Sequence, residues 1–200
     1  MDLPLCRQVS WADVEMWSDR IEEAVRRSGR FPGTIIGLTR GGWVPSRMLA
    51  DRLGVNRLLA LRAQHWGVTA TPSGEATLSE RIPVPLKGEN VLLVDDITDT
   101  GESLALAEEH VRSLEPARLE SATYLHIDQA KVRPTYVAEE VSRASWVWFV
   151  FPWNYWEDLR TLARRAAELD PEEGAVRTVL RERCRLDVPL TDLRRALASG

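Results

Sequence analysis

Residues 91–103 read V-L-L-V-D-D-I-T-D-T-G-E-S, and this segment constrains the fold more than any other part of the chain. Its run of branched apolar residues is typical of a strand that is buried on both faces, as in a parallel sheet. Two carboxylates follow the run. A short loop of small, hydroxylated residues with one glycine then leads into a helical pattern at Ser103 and Leu104. The segment therefore predicts a strand, a loop and a helix N-terminus in succession.

Such a loop suits a ligand of mixed chemistry. Backbone N–H groups and the positive end of the helix dipole converge at a helix N-terminus and bind an anion there. Asp95 and Asp96 cannot bind that anion, so they need sugar hydroxyls or a hard cation as partners. A ligand that offers phosphate, hydroxyls and Mg²⁺ together is a phosphorylated sugar. The alternative is a solvated acidic turn, but such a turn seldom needs three carboxylates around one loop.

The same segment resembles the 5-phosphoribosyl-1-pyrophosphate (PRPP) motif of the type I phosphoribosyltransferases, in which two acids and D-T-G-x-[ST] follow an apolar strand. The resemblance implies that loop amides and hydroxyls hold the 5-phosphate. Asp95 and Asp96 would hold the ribose hydroxyls, directly or through Mg²⁺ and its waters. Asp99 would take the N7 proton of a purine, and Glu102 would point outward. The implied PRPP site consists of Asp95, Asp96, Thr98, Asp99, Thr100, Gly101, Glu102 and Ser103.

A second loop, at residues 39–42, follows a short apolar strand at residues 34–38. Adjacent glycines let a backbone approach a ligand closely, and Arg40 is a planar cation suited to phosphate oxygens. With the residues after it, the loop resembles the S-R-G-G-x-V-P pyrophosphate loop of the 6-oxopurine phosphoribosyltransferases. This resemblance implies that the pyrophosphate is bound by Thr39, Arg40, Gly41 and Gly42.

An aromatic segment at about residues 146–156 contains W-x-x-x-P-W. It resembles the segment that stacks on the purine in bacterial xanthine-guanine phosphoribosyltransferases and their prokaryotic relatives. The resemblance assigns base stacking to Trp148, with Phe149 beside it. Trp146 is the alternative, and several of these rings are expected in a core.

The resemblance departs from the family at base recognition. The family places a lysine after the strand that follows the PRPP helix, where it donates to the purine 6-oxo group. Ile127 occupies that position in this chain. Lys131 is the nearby lysine, and its role is either base binding or that of a solvated loop residue. His126 or backbone donors are the other substitutes, and a base that is not a 6-oxopurine is a further possibility.

Residues from about 63 to 86 lose the alternating pattern and are rich in Gly, Thr, Pro and Ser. A long stretch of this kind inside a compact domain is typically a functional loop. Parts of it, H-W-G at residues 65–67 and G-E-A at residues 74–76, resemble the catalytic loop of prokaryotic purine phosphoribosyltransferases. We expect a lid that closes over PRPP and excludes water from the cationic transition state.

The whole chain predicts an α/β fold. Strand and helix patterns alternate, which indicates a mostly parallel twisted sheet flanked by helices, with ligands at the carboxyl ends of its strands. A chain of 200 residues suits one phosphoribosyltransferase domain, at 1–156, with a helical extension at 157–200. No apolar stretch approaches a membrane span, and no signal peptide is visible. Cys6 and Cys184 show no metal or redox spacing, so a reducing cytoplasm is expected.

The function implied by the resemblance is Mg²⁺-dependent transfer of ribose 5-phosphate from PRPP to a purine base, as in purine salvage. A 6-oxopurine is favoured: hypoxanthine, guanine or xanthine. Relatives imply a homodimer or homotetramer. The alternatives are a PRPP-sensing regulator on the same fold and a phosphoribosyltransferase for a different base. Nucleic acid is disfavoured as a partner, because the net charge is −4 and the nine arginines of residues 155–200 are balanced by nine acids.

Overall fold

The computed structural model describes residues 3–65, 76–80, 82 and 84–198. The chain divides into two compact units. The larger comprises residues 12–146, and the smaller combines residues 1–11 with residues 147–200. The two units reflect compactness and do not coincide with the predicted domains at 1–156 and 157–200. The domain boundary at residue 156 stays a prediction.

The described elements alternate between strands and helices before the chain ends in helices alone. In chain order they are β1 (Cys6–Gln8), α1 (Trp11–Ser28), β2 (Thr34–Thr39), α2 (Trp43–Leu53), β3 (Arg57–His65), β4 (Ala76–Glu80), β5 (Asn90–Thr98), α3 (Glu102–Arg112), β6 (Arg118–Ile127), β7 (Tyr136–Val141), a 3₁₀ turn (Arg143–Ser145), β8 (Trp148–Val150), α4 (Tyr155–Ala167), α5 (Glu173–Arg183) and α6 (Leu190–Ala198). No helix in the described ranges is long and apolar enough to cross a membrane.

The larger unit is built on a six-stranded sheet in the order β4-β3-β2-β5-β6-β7. All its neighbouring strands are parallel except β3 and β4, which confirms the predicted mostly parallel sheet. The chain passes from β2 outward to β3, and it later resumes on the other side of β2 with β5. The order of strands therefore reverses between β2 and β5. In open α/β sheets, ligands bind outside the carboxyl ends of the strands at such a reversal, and both predicted phosphate loops follow these two strands.

Helical periodicity in the sequence accounts for the packing of α1 and α3. The spacing of Val14, Trp17, Ile21 and Val25 predicts one apolar helix face, and α1 buries all four. Helix α3 packs its Leu104, Ala107 and Val111 in one apolar cluster with Val91 and Leu93 of β5. Residues 91–103 are thus anchored in the core through β5 and the helix that follows them.

Three strands differ from the sequence prediction because pairing with a neighbour extends or limits them. Strand β5 continues beside β6 as far as Thr98, so Asp95 and Asp96 lie within the strand. Strand β3 reaches His65 and pairs with β4, so the expected structureless stretch is wrong at residues 63–65 and 76–80. Within the aromatic segment, the sequence predicts a strand over residues 146–151, but the structure has only the three residues of β8. Residues 66–75, 81 and 83 of the predicted lid lie outside the described residues.

The smaller unit joins the two terminal parts of the chain. Strands β1 and β8 pair in parallel, and α4, α5 and α6 contribute Leu159, Leu180 and Leu193 to a common core. Cys6 and Cys184 are free and buried in this core, with the Cys6 N–H donating to the Cys184 carbonyl at 2.9 Å. The hydrogen bond of its thiol to Cys184, together with burial, raises the pKa of Cys6. Two cysteines far apart in the sequence are therefore neighbours.

Candidate active site

The loop at residues 39–42 makes a tight turn between β2 and α2. The N–H of Gly42 donates to the Leu38 carbonyl at 2.9 Å, and Gly42 is the N-cap of α2. The Thr39–Arg40 peptide is cis. The Thr39 hydroxyl donates to the Leu61 carbonyl of β3 at 3.3 Å, whereas Arg40 is exposed. The loop thus presents its backbone and one guanidinium at the carboxyl end of β2.

This loop lies directly against the acidic end of β5. A Cβ atom on Gly41 would overlap the Asp96 carboxylate, with the carboxylate carbon 2.6 Å away. A Cβ atom on Gly42 would lie 2.7 Å from the Leu38 carbonyl oxygen and 2.8 Å from the Cα of Asp95. A larger residue at Gly41 would displace the Asp96 carboxylate, and one at Gly42 would displace the backbone. The predicted pyrophosphate loop and the predicted ribose carboxylates therefore form one site.

Replacing Gly42 with alanine is expected to lower the free energy of unfolding by about 1–3 kcal/mol, the usual cost of overpacking. The atoms that a Cβ would meet belong to the backbone of β2 and β5, so they cannot rotate away. Urea denaturation measures the effect. Gly33→Ala is the matched control, because its nearest atom would be the Asn90 carbonyl oxygen at 4.0 Å. Equal stability of the two variants would contradict this account of the contact.

The carboxylates of Asp95 and Asp96 are crowded together. Asp96 is buried, and its N–H donates to Oδ1 of Asp95 at 2.9 Å. Burial and the adjacent Asp96 charge raise the pKa of Asp95 well above its usual value, against the opposing effect of that hydrogen bond. A site of this kind favours the uptake of a proton or a cation.

The turn before α3 suits a phosphate group. Gly101 is the N-cap of α3 and has φ +82°, a conformation that favours glycine, and it brings no side chain to cap the helix. Thr100 Oγ1 accepts from the Glu102 N–H at 3.3 Å. The helix N-terminus and the preceding hydroxyls therefore meet as the sequence predicts for an anion site.

The loop between β6 and β7 supports this turn from outside. The N–H of Lys131 donates to the Thr100 carbonyl at 2.8 Å, and the Lys131 ammonium lies 2.5 Å from Oε1 of Glu102. The ion pair offsets the charge of Glu102, the first residue of α3. The base-binding role of Lys131 stays a prediction, and its observed partner is Glu102.

Asp99 contacts an arginine that the sequence analysis missed. Nη2 of Arg143 lies 2.7 Å from Oδ1 of Asp99 and donates to the Asp99 carbonyl at 2.9 Å. The N–H of Arg143 in turn donates to Oδ1 of Asp128 at 2.5 Å. Arg143 belongs to none of the motifs, and only the register of β6 and β7 brings it to Asp99.

A family model for the phosphoribosyl transferase domain matches residues 11–158. The chain belongs to the phosphoribosyltransferase family.

Two curated relatives of this phosphoribosyltransferase are named xanthine-guanine phosphoribosyltransferase. The protein from Cereibacter sphaeroides is 28% identical over 153 residues, which cover 73% of this chain and 85% of the relative. The protein from Desulfotalea psychrophila is 28% identical over 148 residues, with 73% and 84% covered.

Solved structures agree on the fold. The purine phosphoribosyltransferase from Pyrococcus horikoshii aligns with a TM-score of 0.64 and 26% identity, over 74% of this chain and 93% of that one. The xanthine-guanine-hypoxanthine enzyme of Helicobacter pylori has a TM-score of 0.63 at 18% identity, over 78% and 99%. These similarities confirm the predicted type I phosphoribosyltransferase fold.

Thr98 and His126 lie side by side at the ends of β5 and β6 in this phosphoribosyltransferase. Both are buried. Within the part of the chain that the structure describes, the Thr98 hydroxyl and the His126 Nδ1 have no hydrogen-bond partner. Burial and the charge of Arg133 lower the pKa of His126, so the neutral imidazole is favoured. His126 is therefore a poor substitute for a cationic lysine.

The aromatic residues predicted to bind the base lie on β8 in the smaller unit. Phe149 is buried, and the Arg7 guanidinium carbon lies 5.8 Å from its ring centroid. Trp148 is partly buried and packs against the helical core of that unit. Trp146, the alternative, is the last residue of the larger unit. Base stacking by Trp148 and Phe149 stays a prediction.

Proposed function

We propose that this phosphoribosyltransferase transfers ribose 5-phosphate from PRPP to a purine base and releases pyrophosphate, with a 6-oxopurine as the favoured base. One observation carries the proposal: the backbone of the Gly41-Gly42 loop lies against the Asp95–Asp96 pair, next to the turn that precedes α3. The names of the curated relatives support a purine as the acceptor. The cytoplasmic location and the homodimer or homotetramer expected from the sequence stay predictions.

The reaction breaks the bond between C1 of the ribose and the pyrophosphate, and it forms a bond between C1 and N9 of the base. Positive charge develops on the sugar, so binding groups that fix the geometry and the charges lower the barrier. The turn from Thr98 to Ser103 would hold the 5-phosphate, while Arg40 and the glycine amides would hold the pyrophosphate. Asp99 would accept the proton that leaves N7 as N9 forms its new bond.

We propose Mg²⁺ as the cofactor, held by Asp95 and Asp96 directly or through water. The donor set fits a hard cation, since such ions prefer carboxylate oxygens and the crowding of these two raises the pKa of Asp95. No group of three or more His, Cys, Asp or Glu side chains in the described ranges could hold a metal, so oxygens of the substrate and water would complete the shell. When bound, Mg²⁺ supplies neutralising charge for the pyrophosphate.

A turnover assay tests the proposal. Purified protein is given PRPP and Mg²⁺ with hypoxanthine, guanine, xanthine, adenine, uracil or orotate, and pyrophosphate release is followed. We expect turnover with at least one 6-oxopurine and none when Mg²⁺ is removed with a chelator. Turnover with uracil or orotate alone would contradict a purine acceptor. PRPP binding without any turnover would indicate a sensor.

A further inference from the structure

We propose that Arg143 supplies the cation that recognises the 6-oxo group of the base and at the same time positions Asp99. This inference rests on the proposed function. It assigns to an arginine on the segment after β7 the role that the family gives to a lysine at the position of Ile127.

The contacts of Arg143 place it at the proposed proton acceptor. Its Nη2 meets both the side chain and the carbonyl of Asp99, at 2.7 Å and 2.9 Å. The contact with Oδ1 is an ion pair without hydrogen-bond geometry, because Oδ1 accepts no hydrogen bond from the described residues. Asp99 is thus held through its backbone and by the charge beside Oδ1, which is buried. The Asp99 side chain as a whole is 40% exposed, so Oδ2 is the oxygen left to take a proton. A proton acceptor needs this combination.

The chemistry of the purine places its 6-oxo group close to the atom that Asp99 would meet. N7 and O6 lie on the same edge of a 6-oxopurine, and in protein–DNA complexes the cations of Arg and Lys are the commonest specific partners of that edge of guanine. Asp99 is the group proposed to meet N7. A cation 2.7 Å from its carboxylate is therefore next to the place of O6. Both contacts to Asp99 use Nη2, and a guanidinium carries five N–H donors in all.

The fold brings the backbone of Arg143 close to Ile127. Ile127, at the end of β6, pairs with Val141 at the end of β7. Two residues after Val141, the backbone N–H of Arg143 is fixed by Asp128, which directly follows Ile127. Arg143 thus starts beside the position where the family has its lysine.

The other cationic candidates are engaged or disfavoured. The Lys131 ammonium is paired with Glu102, and burial lowers the pKa of His126 so that its neutral form is favoured. Arg133 pairs with Glu140 and is well exposed. Arg143 is the arginine that contacts the proposed proton acceptor.

Arg143→Ala and Arg143→Lys, with Arg133→Ala as the matched control, test the assignment. Activity is measured with hypoxanthine, guanine and adenine. We expect Arg143→Ala to raise KM for the 6-oxopurines about tenfold or more, the usual cost of losing a charged hydrogen bond, and to leave KM for PRPP unchanged. The ratio of kcat/KM for hypoxanthine over adenine should fall. Arg143→Lys should recover part of that ratio, and Arg133→Ala should match the wild type.

Positioning of Asp99 has its own readout. If Arg143 acts partly through Asp99, the effects of Arg143→Ala and Asp99→Asn on kcat should be less than additive in the double variant. A purely structural effect of Arg143→Ala would lower activity with every base equally and leave the hypoxanthine-to-adenine ratio unchanged, which would overturn the inference.

The two proposals fail in different ways. Wild-type turnover of a 6-oxopurine combined with an unchanged ratio in Arg143→Ala overturns the role of Arg143 and leaves the proposed function in place. A wild type that turns over no base overturns both.

Discussion

Asp99→Asn is expected to lower kcat by about 10²- to 10⁴-fold, the usual contribution of a positioned general base, with KM for PRPP unchanged. Asparagine has the size of aspartate, and its Oδ1 can keep the place beside Arg143 Nη2, which lies 2.7 Å from Asp99 Oδ1. It cannot take the N7 proton. Steady-state kinetics with PRPP and the best base measure the effect.

Asp51→Asn is the control for this variant, because Asp51 is exposed on α2 and forms an ion pair with Arg47 one helical turn away. It should keep wild-type kcat. A rise in KM for PRPP with constant kcat in Asp99→Asn would indicate that Asp99 holds the sugar, and an unchanged rate would remove it from proton transfer.

Asp95→Asn is expected to slow transfer strongly and to stabilise the ligand-free protein. The substitution removes a carboxylate that would hold ribose hydroxyls and Mg²⁺, so kcat/KM should fall by about 10²-fold or more. The gain in stability comes from the raised pKa of Asp95, which has burial and the Asp96 charge as its causes. Asparagine carries no charge to bury or repel, and its Oδ1 can still accept from the Asp96 N–H.

The raised pKa of Asp95 also makes the free energy of unfolding depend on pH. Because the pKa is higher in the folded than in the unfolded protein, the folded state binds more protons between the two values, and stability falls there as pH rises. The loss begins near the ordinary aspartate pKa of about 3.9 and is complete above the raised value. Urea denaturation from about pH 4 to about pH 8 should show this decline in the wild type, and a smaller one in Asp95→Asn.

Mg²⁺ offers an independent check without catalysis. A cation at the carboxylate pair favours the ionised forms, so added Mg²⁺ should stabilise the wild type at neutral pH and should stabilise Asp95→Asn less. Asp51→Asn should behave as the wild type. If Asp95→Asn is less stable than the wild type at neutral pH, the charge of Asp95 stabilises the fold, contrary to this account.

The sequence predicted the local structure around the candidate site best where the information is contiguous. Strand, acidic pair, glycine turn and helix are contiguous in residues 91–103, so the motif could be recognised without knowing what packs on it. The apolar face of α1 was predictable because its spacing follows the helical period. The length of β5 was not predictable in this way, because pairing with β6 extends that strand through Asp95 and Asp96 to Thr98.

Features that depend on distant parts of the chain were missed. The contact of Arg143 with Asp99 depends on how β7 aligns with β6, and single residues carry little signal for register. Strand β1 has only three residues, and its partner β8 lies after β7, far along the chain. The fit of Gly42 against the backbone of β5 follows from the sheet order, so the sequence could suggest a glycine loop but not its neighbour.

The division of the smaller unit between the two termini has a consequence for biosynthesis. Residues 12–146 leave the ribosome as one continuous piece, and domains generally fold as units in the order of synthesis. Strand β1 is made before this piece, yet its partner β8 and the Cys184 carbonyl that Cys6 binds are made more than a hundred residues later. Strand β1 thus emerges before residues 12–146 and reaches its final place after them. A nascent chain stalled before Val147 would carry residues 3–11 without the strand and helices that cover them.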